Sequence, residues 1–422
     1  MRNEFRIRLF DLILCLSNTM DLMDPAIVNH HKQVAYIAYH IGEALGLAPE
    51  LRRELLMAGA LHDIGAFSLK EKLKALSFEL ENPHKHAEAG YSLLRIFKPL
   101  ESAAVPIRFH HTPWAEGKGN EFRGKSVPIA SHILHLSDRI AVLIDKRRPI
   151  LSQVDAIRSK IREKSGSMFM PLLVKTFEAI SIKEVFWLDL VSQNLFELLS
   201  RITDIQSFTL GIDGLVSFGK IISKMIDFRN PFTATHSTSV AMIAEALAAL
   251  SGFSQKECKL MRAAGYLHDL GKLAVPVEYL EKPDKLSSNE YNIMKAHTYY
   301  TFQTLQSIEG LETVNAWASF HHERLDGSGY PFHLKAEDIP LGSRIMAVAD
   351  VFTALTEDRP YRKSLSDREA VRILNDMAEK HALDRIVVHT LERNLTKIHA
   401  FRAQAQESAA TEYHSLTESD KE

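Results

Sequence analysis

The sequence predicts an all-α fold made of two similar helical bundles that follow each other along the chain. Apolar residues recur at helical spacing through most of the 422 residues, as in HSTSVAMIAEALAALSG, which begins at His236. Alternating runs of β-branched residues, which would indicate strands, are hard to find. A long internal duplication accounts for the two bundles.

The duplication is visible in both residue type and spacing. NHHKQVAYIAYHIGEALG followed by LLMAGALHDIGAF returns as THSTSVAMIAEALAALSG followed by LMRAAGYLHDLGK. In both copies a first histidine precedes a His-Asp pair by 32 residues, and a third histidine precedes a double histidine by 24. The double histidine then precedes an aspartate by 27 residues in one copy and 28 in the other. This agreement indicates two copies of one helical unit.

The repeat sets the predicted domain boundaries. We predict a first domain at residues 1–150, connecting helices at 151–204, a second domain at 205–400 and a polar tail at 401–422. The tail lacks an apolar stripe, so we expect it to be frayed or disordered. Near the N-terminus, Arg8 and Asp11 interrupt an apolar run, which favours an amphipathic core helix over a signal or anchor.

Composition excludes several classes of protein. Lys and Arg total 51 against 53 Asp and Glu, a net charge of -2, which argues against binding to duplex nucleic acid. A local basic pocket for a small phosphate ligand stays compatible with this balance. With two cysteines, Cys15 and Cys258, there is no disulfide framework, and no segment has transmembrane length. We therefore expect a cytoplasmic protein that does not span a membrane.

The repeated histidines and aspartates have the residue types of a metal centre. Ten of the 20 histidines fall on the repeated positions, which makes a common role more probable than ten separate packing roles. Seven N and O ligands exceed one tetrahedral zinc site and suit two six-coordinate ions, with Asp269 as the candidate bridge. Such a pair lowers the pKa of a shared water and clamps the oxygens of a phosphate ester. The second-copy candidates are His236, His268, Asp269, His297, His321, His322 and Asp350.

These motifs resemble those of the HD-GYP family, a branch of the HD-domain metal-dependent phosphohydrolases. The resemblance rests on His236, HDLGK (268–272), His297, HHERLDGSGYP (321–331) and Asp350, and covers residues 228–370. It implies a helical bundle around a two- or three-metal centre, often of iron or manganese. It also implies hydrolysis of a cyclic dinucleotide, either cyclic di-GMP or, in members with a tandem HD layout, 3′,3′-cyclic GMP-AMP.

The resemblance also implies roles for individual residues. Asp269 and Lys272 would be catalytic, with Lys272 at the scissile phosphate. Arg359 and Arg362, in EDRPYRKS, match basic positions that grip substrate phosphates in the family. Tyr330 would shape the loop beside the site and contact substrate.

The expected number of ions follows from one further position. Members with three metals carry a glutamate four residues before the first histidine, and Phe232 stands there in this chain. We therefore expect two divalent ions, iron or manganese, in the second domain. Metal in the first domain is a separate expectation.

The first copy keeps the presumed ligands but departs from the family elsewhere. Ala66 replaces the lysine found at Lys272, and HHTPWAEGKGN replaces the GYP loop. It resembles a plain HD domain whose substrate machinery is incomplete, so we expect a regulatory or structural role. Its candidate ligands are His30, His62, Asp63, His86, His110, His111 and Asp138.

The predicted function is metal-dependent hydrolysis of a cyclic dinucleotide to a linear dinucleotide in the second copy. Two alternatives stay open at this point. One is an HD-superfamily nucleotide phosphohydrolase that acts on a mononucleotide, and the other is a cyclic-dinucleotide sensor without turnover. The predicted partner is the cyclic dinucleotide, and protein partners or a homodimer are compatible with the sequence.

Overall fold

Helices form nearly all of the regular structure. A computed structural model of the chain describes residues 5–21, 28–66, 78, 84–201, 208–227, 235–280, 282, 284–358 and 363–418. Within these ranges the strands are two residues long, and β2 pairs with β3 in antiparallel fashion around a turn at Arg123 and Gly124. The all-α prediction is confirmed. The strands are β1 (Ile7–Arg8), β2 (Glu121–Phe122), β3 (Lys125–Ser126) and β4 (Thr209–Leu210).

The chain divides into two compact units, and the first spans residues 8–209. Its helix α1 is buried along most of its length, as predicted for a core helix. Across the described residues, no helix has both the length and the apolar character that crossing a bilayer requires. The helices are α1 (Leu9–Asp21), α2 (His30–Ala44), α3 (Pro49–Leu61), α4 (His84–Leu94), α5 (Glu101–Arg108), α6 (Ile129–Val142), α7 (Val154–Glu163), α8 (Pro171–Ile180), α9 (Glu184–Leu190) and α10 (Leu195–Ser200).

The second unit begins at Leu210 and takes in the remainder of the chain, together with the first residues. Its core lies between α12, α13 and α17, whose apolar residues are buried. The helices are α11 (Ile212–Asp227), α12 (His236–Leu250), α13 (Gln255–Leu267), α14 (Val277–Leu280), α15 (Ser288–Gln306), α16 (Glu312–Ser319), α17 (Leu341–Thr356), α18 (Asp367–Glu379), α19 (Arg385–Arg393) and α20 (Leu395–Glu418).

The described part of the predicted connecting region 151–204, which ends at residue 201, packs within the first unit. Gln33 of α2 donates a hydrogen bond to the carbonyl of Leu190 at 3.3 Å, and the rings of Tyr36 and Phe186 lie 5.6 Å apart. Trp187 is fully buried, and its indole donates to the carbonyl of Ser181. The helices after α6 therefore contribute apolar surface to the first unit's core. The domain boundaries drawn from the repeat stay predictions.

Local signals in the sequence explain where several helices start and stop. Ser287 and Glu290 form the predicted capping box at the start of α15, and equivalent boxes begin α13 and α18. Helix α12 ends at Leu250, and Gly252 follows with a positive φ of 86°. These caps satisfy backbone groups that a helix end leaves without partners.

The expectation of a disordered tail is wrong for residues 401–418. Helix α20 extends to Glu418, and Arg402 and Ala405 are buried within it. The guanidinium of Arg402 donates to Asp367 of α18 at 2.7 Å, and Ile398, earlier in α20, is fully buried. A few long-range contacts therefore hold a helix whose sequence has no continuous apolar stripe.

One glycine in each unit lets the helices that carry the first candidate ligands approach closely. A Cβ on Gly59 would lie 2.6 Å from the Cα of Ala35, and a Cβ on Gly265 would lie 2.5 Å from that of Ala241. The close pairs are α2 with α3 and α12 with α13. A larger residue at either glycine would clash with backbone atoms, which cannot move as a side-chain end does.

We predict that Gly265→Ala destabilises the second unit. The added methyl group forces α12 and α13 apart, and overpacking of this kind costs about 1–3 kcal/mol. Thermal denaturation should therefore show a lower melting temperature than in the wild type. Gly211→Ala is the control, because a Cβ there meets nothing within 4 Å. Equal melting of Gly265→Ala and the control would contradict the close-packing explanation.

Candidate metal centres

The seven second-copy candidates come together in one largely buried cluster, five of them from helix ends and two, His297 and Asp350, from within helices. His236 is the first residue of α12, His268 and Asp269 directly follow α13, and Asp350 lies within α17. His236 Nε2 lies 3.3 Å from Asp350 Oδ1, and His268 Nε2 lies 3.3 Å from Asp269 Oδ2. The candidates form three overlapping groups, and within each group the ligand atoms lie within 4.8 Å of one another. The groups are His236, His268 and Asp350; His268, Asp269 and His321; and His297, His321 and His322.

The two carboxylate oxygens of Asp269 face different histidines. Oδ2 lies 3.3 Å from Nε2 of His268, whereas Oδ1 lies 3.5 Å from Nε2 of His297. A carboxylate in this position is able to bind one cation with each oxygen. This is the geometry that a bridging ligand needs, although the bridging role itself stays a prediction.

Three of the histidines are oriented by the backbone. The Nδ1 atoms of His268, His297 and His321 lie 2.6–2.7 Å from the carbonyl oxygen three residues earlier in each case. A carbonyl oxygen only accepts, so each Nδ1 carries a proton, and in the neutral rings of His297 and His321 this leaves Nε2 with a free lone pair. The Nε2 atoms of His297 and His321 lie 3.4 Å apart, inside the cluster. Two lone pairs at this distance repel unless a cation lies between them.

The protonation states of the cluster favour metal binding. Burial lowers the pKa of His297 to about 4 and the pKa of His322 to about 3, against the opposing effect of nearby carboxylates. Burial opposes ionisation of Asp269, but His268 and Lys272 hold the pKa of that carboxyl well below its usual range. Neutral imidazoles beside ionised carboxylates are the forms that coordinate a metal. The donor set therefore fits divalent cations that take N and O ligands.

Lys272 lies directly beside the candidate bridge. Its ammonium nitrogen is 2.5 Å from Asp269 Oδ2, and its side chain is partly exposed. The short turn Leu270–Ala274 holds it there, because Gly271 N donates to the hydroxyl of Thr301 in α15. Lys272 thus places a positive charge at the edge of the cluster. Its contact with a substrate phosphate stays a prediction.

The GYP loop is built onto the same cluster. The ring of Tyr330 lies 5.0 Å from that of His322, and its backbone N–H donates to the His322 carbonyl. The buried carboxylate of Glu323 accepts from the backbone N–H groups of Phe332 and Leu334 at 2.7 and 3.0 Å. The loop therefore has an anchored base. The other predicted substrate contacts, Arg359 and Arg362, lie outside the described residues, as does Phe232.

The first copy forms a similar buried cluster in the first unit. His30 Nε2 lies 3.3 Å from Asp138 Oδ1, and His86 Nε2 lies 3.2 Å from Asp63 Oδ1. His62 and His110 direct Nδ1 at the carbonyl three residues earlier, as their counterparts do. The Nε2 atoms of His30, His62 and His110 are buried and form no hydrogen bond. The candidates form two groups within which the ligand atoms lie within 4.8 Å of one another: Asp63, His86, His110 and His111; and His30, His62 and Asp63.

Three features distinguish the first cluster from the second. Ala66 is buried where the second copy has Lys272. Arg139 forms a buried ion pair of 2.5 Å with Asp138, so part of that carboxylate's charge is already neutralised. Burial would lower the pKa of His62, but Asp63 and Asp138 raise it to about 9, so this histidine holds a proton that a metal ion must displace.

The segment that replaces the GYP loop is tied to residues 165–169 by the backbone. Three successive N–H groups, those of Trp114, Ala115 and Glu116, donate to the carbonyls of Met168, Ser167 and Gly166 at 2.7–3.0 Å. Phe169 is buried and packs edge-on against His135, with the ring centroids 5.4 Å apart. This segment is thus closed against its own unit rather than presenting a loop like that of residues 323–334.

Sequence reasoning missed several polar residues around the clusters. Glu357 contacts His236, and Glu323 anchors the loop. Burial raises the pKa of Asp227 to about 7, and this carboxyl accepts from Ser237 at 2.8 Å. The repeat contained a signal for it, because Asp227 precedes His236 by nine residues, as Asp21 precedes His30. The repeat also places an acidic residue seven positions after the last candidate ligand in each copy, Asp145 and Glu357, but this spacing alone does not indicate the contact with His236.

Comparison with known proteins agrees with this organisation. Models of the HD domain match residues 27–143 and residues 220–387. 3′3′-cGAMP-specific phosphodiesterase 1 of Vibrio cholerae is 32% identical over 400 residues, which cover 93% of this chain and 93% of that relative. The cyclic di-GMP phosphodiesterase response regulator RpfG of Xanthomonas campestris is 39% identical over 145 residues, 34% of this chain and 38% of that protein.

A solved structure shares the fold of the whole chain. The crystal structure of a cyclic GMP-AMP specific phosphodiesterase of V. cholerae, V-cGAP3, covers 93% of this chain and 98% of its own, with a TM-score of 0.64 and 24% identity. This likeness concerns the fold alone. The chain belongs to the HD-domain family, in the tandem arrangement that it shares with 3′3′-cGAMP-specific phosphodiesterase 1.

Proposed function

We propose that the second unit hydrolyses a cyclic dinucleotide to a linear dinucleotide in a metal-dependent reaction. The observation that carries this proposal is the convergence of seven candidate ligands in the second unit, with Lys272 beside Asp269. The names of the relatives, which are cyclic-dinucleotide phosphodiesterases, support the substrate class. The proposed ligands are His236, His268, Asp269, His297, His321, His322 and Asp350.

We infer that the preferred substrate is 3′,3′-cyclic GMP-AMP rather than cyclic di-GMP. The relative that matches 93% of both chains is named for 3′3′-cGAMP. Two relatives named for cyclic di-GMP match 34% and 46% of this chain, and thus only part of its tandem arrangement. The proposal therefore includes a preference for a substrate with one guanine and one adenine base over a substrate with two guanines.

The ligand set suits two divalent ions, iron or manganese. When bound, such ions supply an activated water and neutralise charge on the phosphate. The protein holds Asp269 ionised between His268 and His297 and keeps His297 and His321 neutral, so that their Nε2 atoms are available. These contributions are made by the folded chain before any ion or substrate binds.

We assign the positively charged side chains to contacts with the substrate phosphates. Lys272 stabilises negative charge on the scissile phosphate, because it lies at the exposed edge of the cluster. Arg359 and Arg362 bind the non-bridging phosphate oxygens through their forked guanidinium groups. Tyr330 lines the substrate site next to His322.

We propose that the first unit holds metal but does not hydrolyse substrate. Its ligands converge as those of the second unit do, which supports a metal site. Ala66 in place of a lysine and the closed segment at 114–116 argue against turnover. A regulatory or structural role fits these features. A sensor role for the whole chain is less well supported, because the second unit keeps both its lysine and its loop.

We predict that Asp269→Ala lowers turnover strongly and that Asp63→Ala leaves it almost unchanged. Asp269→Ala should lower turnover of 3′,3′-cyclic GMP-AMP by at least about 10²-fold, because it removes the carboxylate that lies between His268 and His297. Asp63→Ala should change turnover less than about threefold, since it lies in the first unit. Chromatography of the linear product checks both, with Mn²⁺ or anaerobic Fe²⁺ supplied and cyclic di-GMP offered separately.

The two variants are matched controls for each other, because Asp63 and Asp269 occupy equivalent positions in the two copies of the repeat. Loss of turnover in Asp63→Ala with normal turnover in Asp269→Ala would place the chemistry in the first unit. Absence of product from the wild type with both substrates would favour a sensor, and faster hydrolysis of cyclic di-GMP would reverse the proposed base preference.

We predict that metal content and turnover separate in the first unit. Asp63→Ala should bind less Mn²⁺ per chain than the wild type while keeping its turnover, because Asp63 belongs to both ligand groups of that unit. Equilibrium dialysis followed by elemental analysis measures the bound ions. Unchanged metal content in Asp63→Ala would contradict a metal site in the first unit.

We predict that Glu323→Ala loosens the GYP loop. The change leaves the N–H groups of Phe332 and Leu334 without their carboxylate acceptor, and a hydrogen bond to a charged group contributes about 1.5–3 kcal/mol. The melting temperature should fall and the KM should rise, while bound Mn²⁺ stays at the wild-type level. Glu337→Ala, a change at an exposed acid of the same loop, is the control. A wild-type KM in Glu323→Ala would contradict this role of the loop.

A further inference from the structure

His236 differs from the other oriented histidines of the second unit in how its ring is held. His268, His297 and His321 donate from Nδ1 to a carbonyl three residues earlier, a bond that the preceding helical turn provides. His236 is the first residue of α12, so α12 itself provides no preceding turn whose carbonyl could hold the ring. Its imidazole therefore needs another acceptor if Nε2 is to face the cluster.

Glu357 supplies that acceptor. Its Oε2 lies 2.9 Å from Nδ1 of His236, and the two residues are 121 positions apart in the chain. The hydroxyl of Thr235 also donates to Glu357, at 3.4 Å. His236 and Glu357 are 2% and 6% exposed, so the contact is shielded from water. A buried carboxylate here has a defined partner rather than a solvated surface position.

A single helix holds both sides of the His236 ring. Asp350, within α17, lies 3.3 Å from Nε2, and Glu357, directly after the end of α17, contacts Nδ1. Seven residues, about two helical turns, separate the two carboxylates. Because Glu357 accepts at Nδ1, the proton resides on that nitrogen and Nε2 is left to bind on the side of Asp350.

The first unit lacks this arrangement at the equivalent position. Asp145 follows Asp138 by seven residues, as Glu357 follows Asp350. Its carboxylate instead accepts from the backbone N–H and the guanidinium of Arg147, both at 3.0 Å, and it is about one-third exposed. The contact with the first histidine is therefore a property of the second unit and not of the repeat.

We propose that Glu357 is a positioning residue for the metal centre of the second unit. It fixes the tautomer and orientation of His236 and increases the basicity of Nε2, as carboxylate partners of ligating histidines do. Glu357 also precedes Arg359 by two residues, so in the sequence the positioning residue stands next to the predicted phosphate-binding segment. This inference rests on the proposed metal-dependent function.

The test compares Mn²⁺ affinity in Glu357 variants, with Asp63→Ala as the parent so that only the second centre is measured. Glu357→Ala should need 10–100-fold more Mn²⁺ for half-saturation in equilibrium dialysis, the usual effect of losing such a partner. Glu357→Gln should show a smaller shift, because its amide oxygen still accepts from Nδ1 but carries no charge. Asp145→Asn is the matched control and should leave the affinity unchanged.

Turnover against Mn²⁺ concentration separates positioning from chemistry. If Glu357 acts through His236, saturating Mn²⁺ returns the kcat of Glu357→Ala to within a few-fold of the parent. Wild-type Mn²⁺ affinity in Glu357→Ala would overturn the inference, as would loss of turnover at every Mn²⁺ concentration with unchanged binding. Metal-free variants are compared by circular dichroism, and Glu357→Gln carries the test if Glu357→Ala does not fold.

The outcome for the parent protein distinguishes the two proposals. If the parent binds no Mn²⁺, the metal-dependent function fails and the inference about Glu357 fails with it. If the parent binds Mn²⁺ and turns over substrate while Glu357→Ala matches it in both, only the role of Glu357 is wrong.

Discussion

The structure depends on the cost of burying many imidazole and carboxylate groups around one point. Each second-unit ligand named here, apart from the partly exposed His322, is buried, and the Nε2 atoms of His297 and His321 face each other at 3.4 Å. Such an arrangement is unfavourable unless cations occupy the space between the ligands. Backbone carbonyls fix the rings by accepting from Nδ1, so the side chains do not turn away to relieve the repulsion. The folded protein is therefore organised for metal before metal arrives.

Close helix packing is what allows this organisation. Gly59 and Gly265 let two helices touch at the backbone, and the same glycines provide the carbonyls that hold His62 and His268. One residue thus sets both the distance between helices and the direction of a ligand. The duplication preserved this combination in both units, which explains why both clusters keep their geometry.

The two units differ in what surrounds the shared scaffold. The second has Lys272 beside the cluster and Glu357 behind His236, whereas the first has Ala66 and an outward-facing Asp145. Arg139 further balances the charge of Asp138 in the first unit. The proposed difference in turnover between the two copies therefore rests on a few side chains beyond the candidate ligands.

The sequence by itself determined the fold class, the duplication and the candidate ligands, because helical periodicity and repeated spacings depend only on neighbours along the chain. The capping box at Ser287 was predictable for the same reason. The helix at 401–418 was not, since contacts such as Arg402 with Asp367 stabilise it over a distance in the sequence. Glu323 and Glu357 became visible only in the tertiary structure. Their partners are set by burial and by helix packing, and a lone glutamate carries no sign of either in a linear sequence.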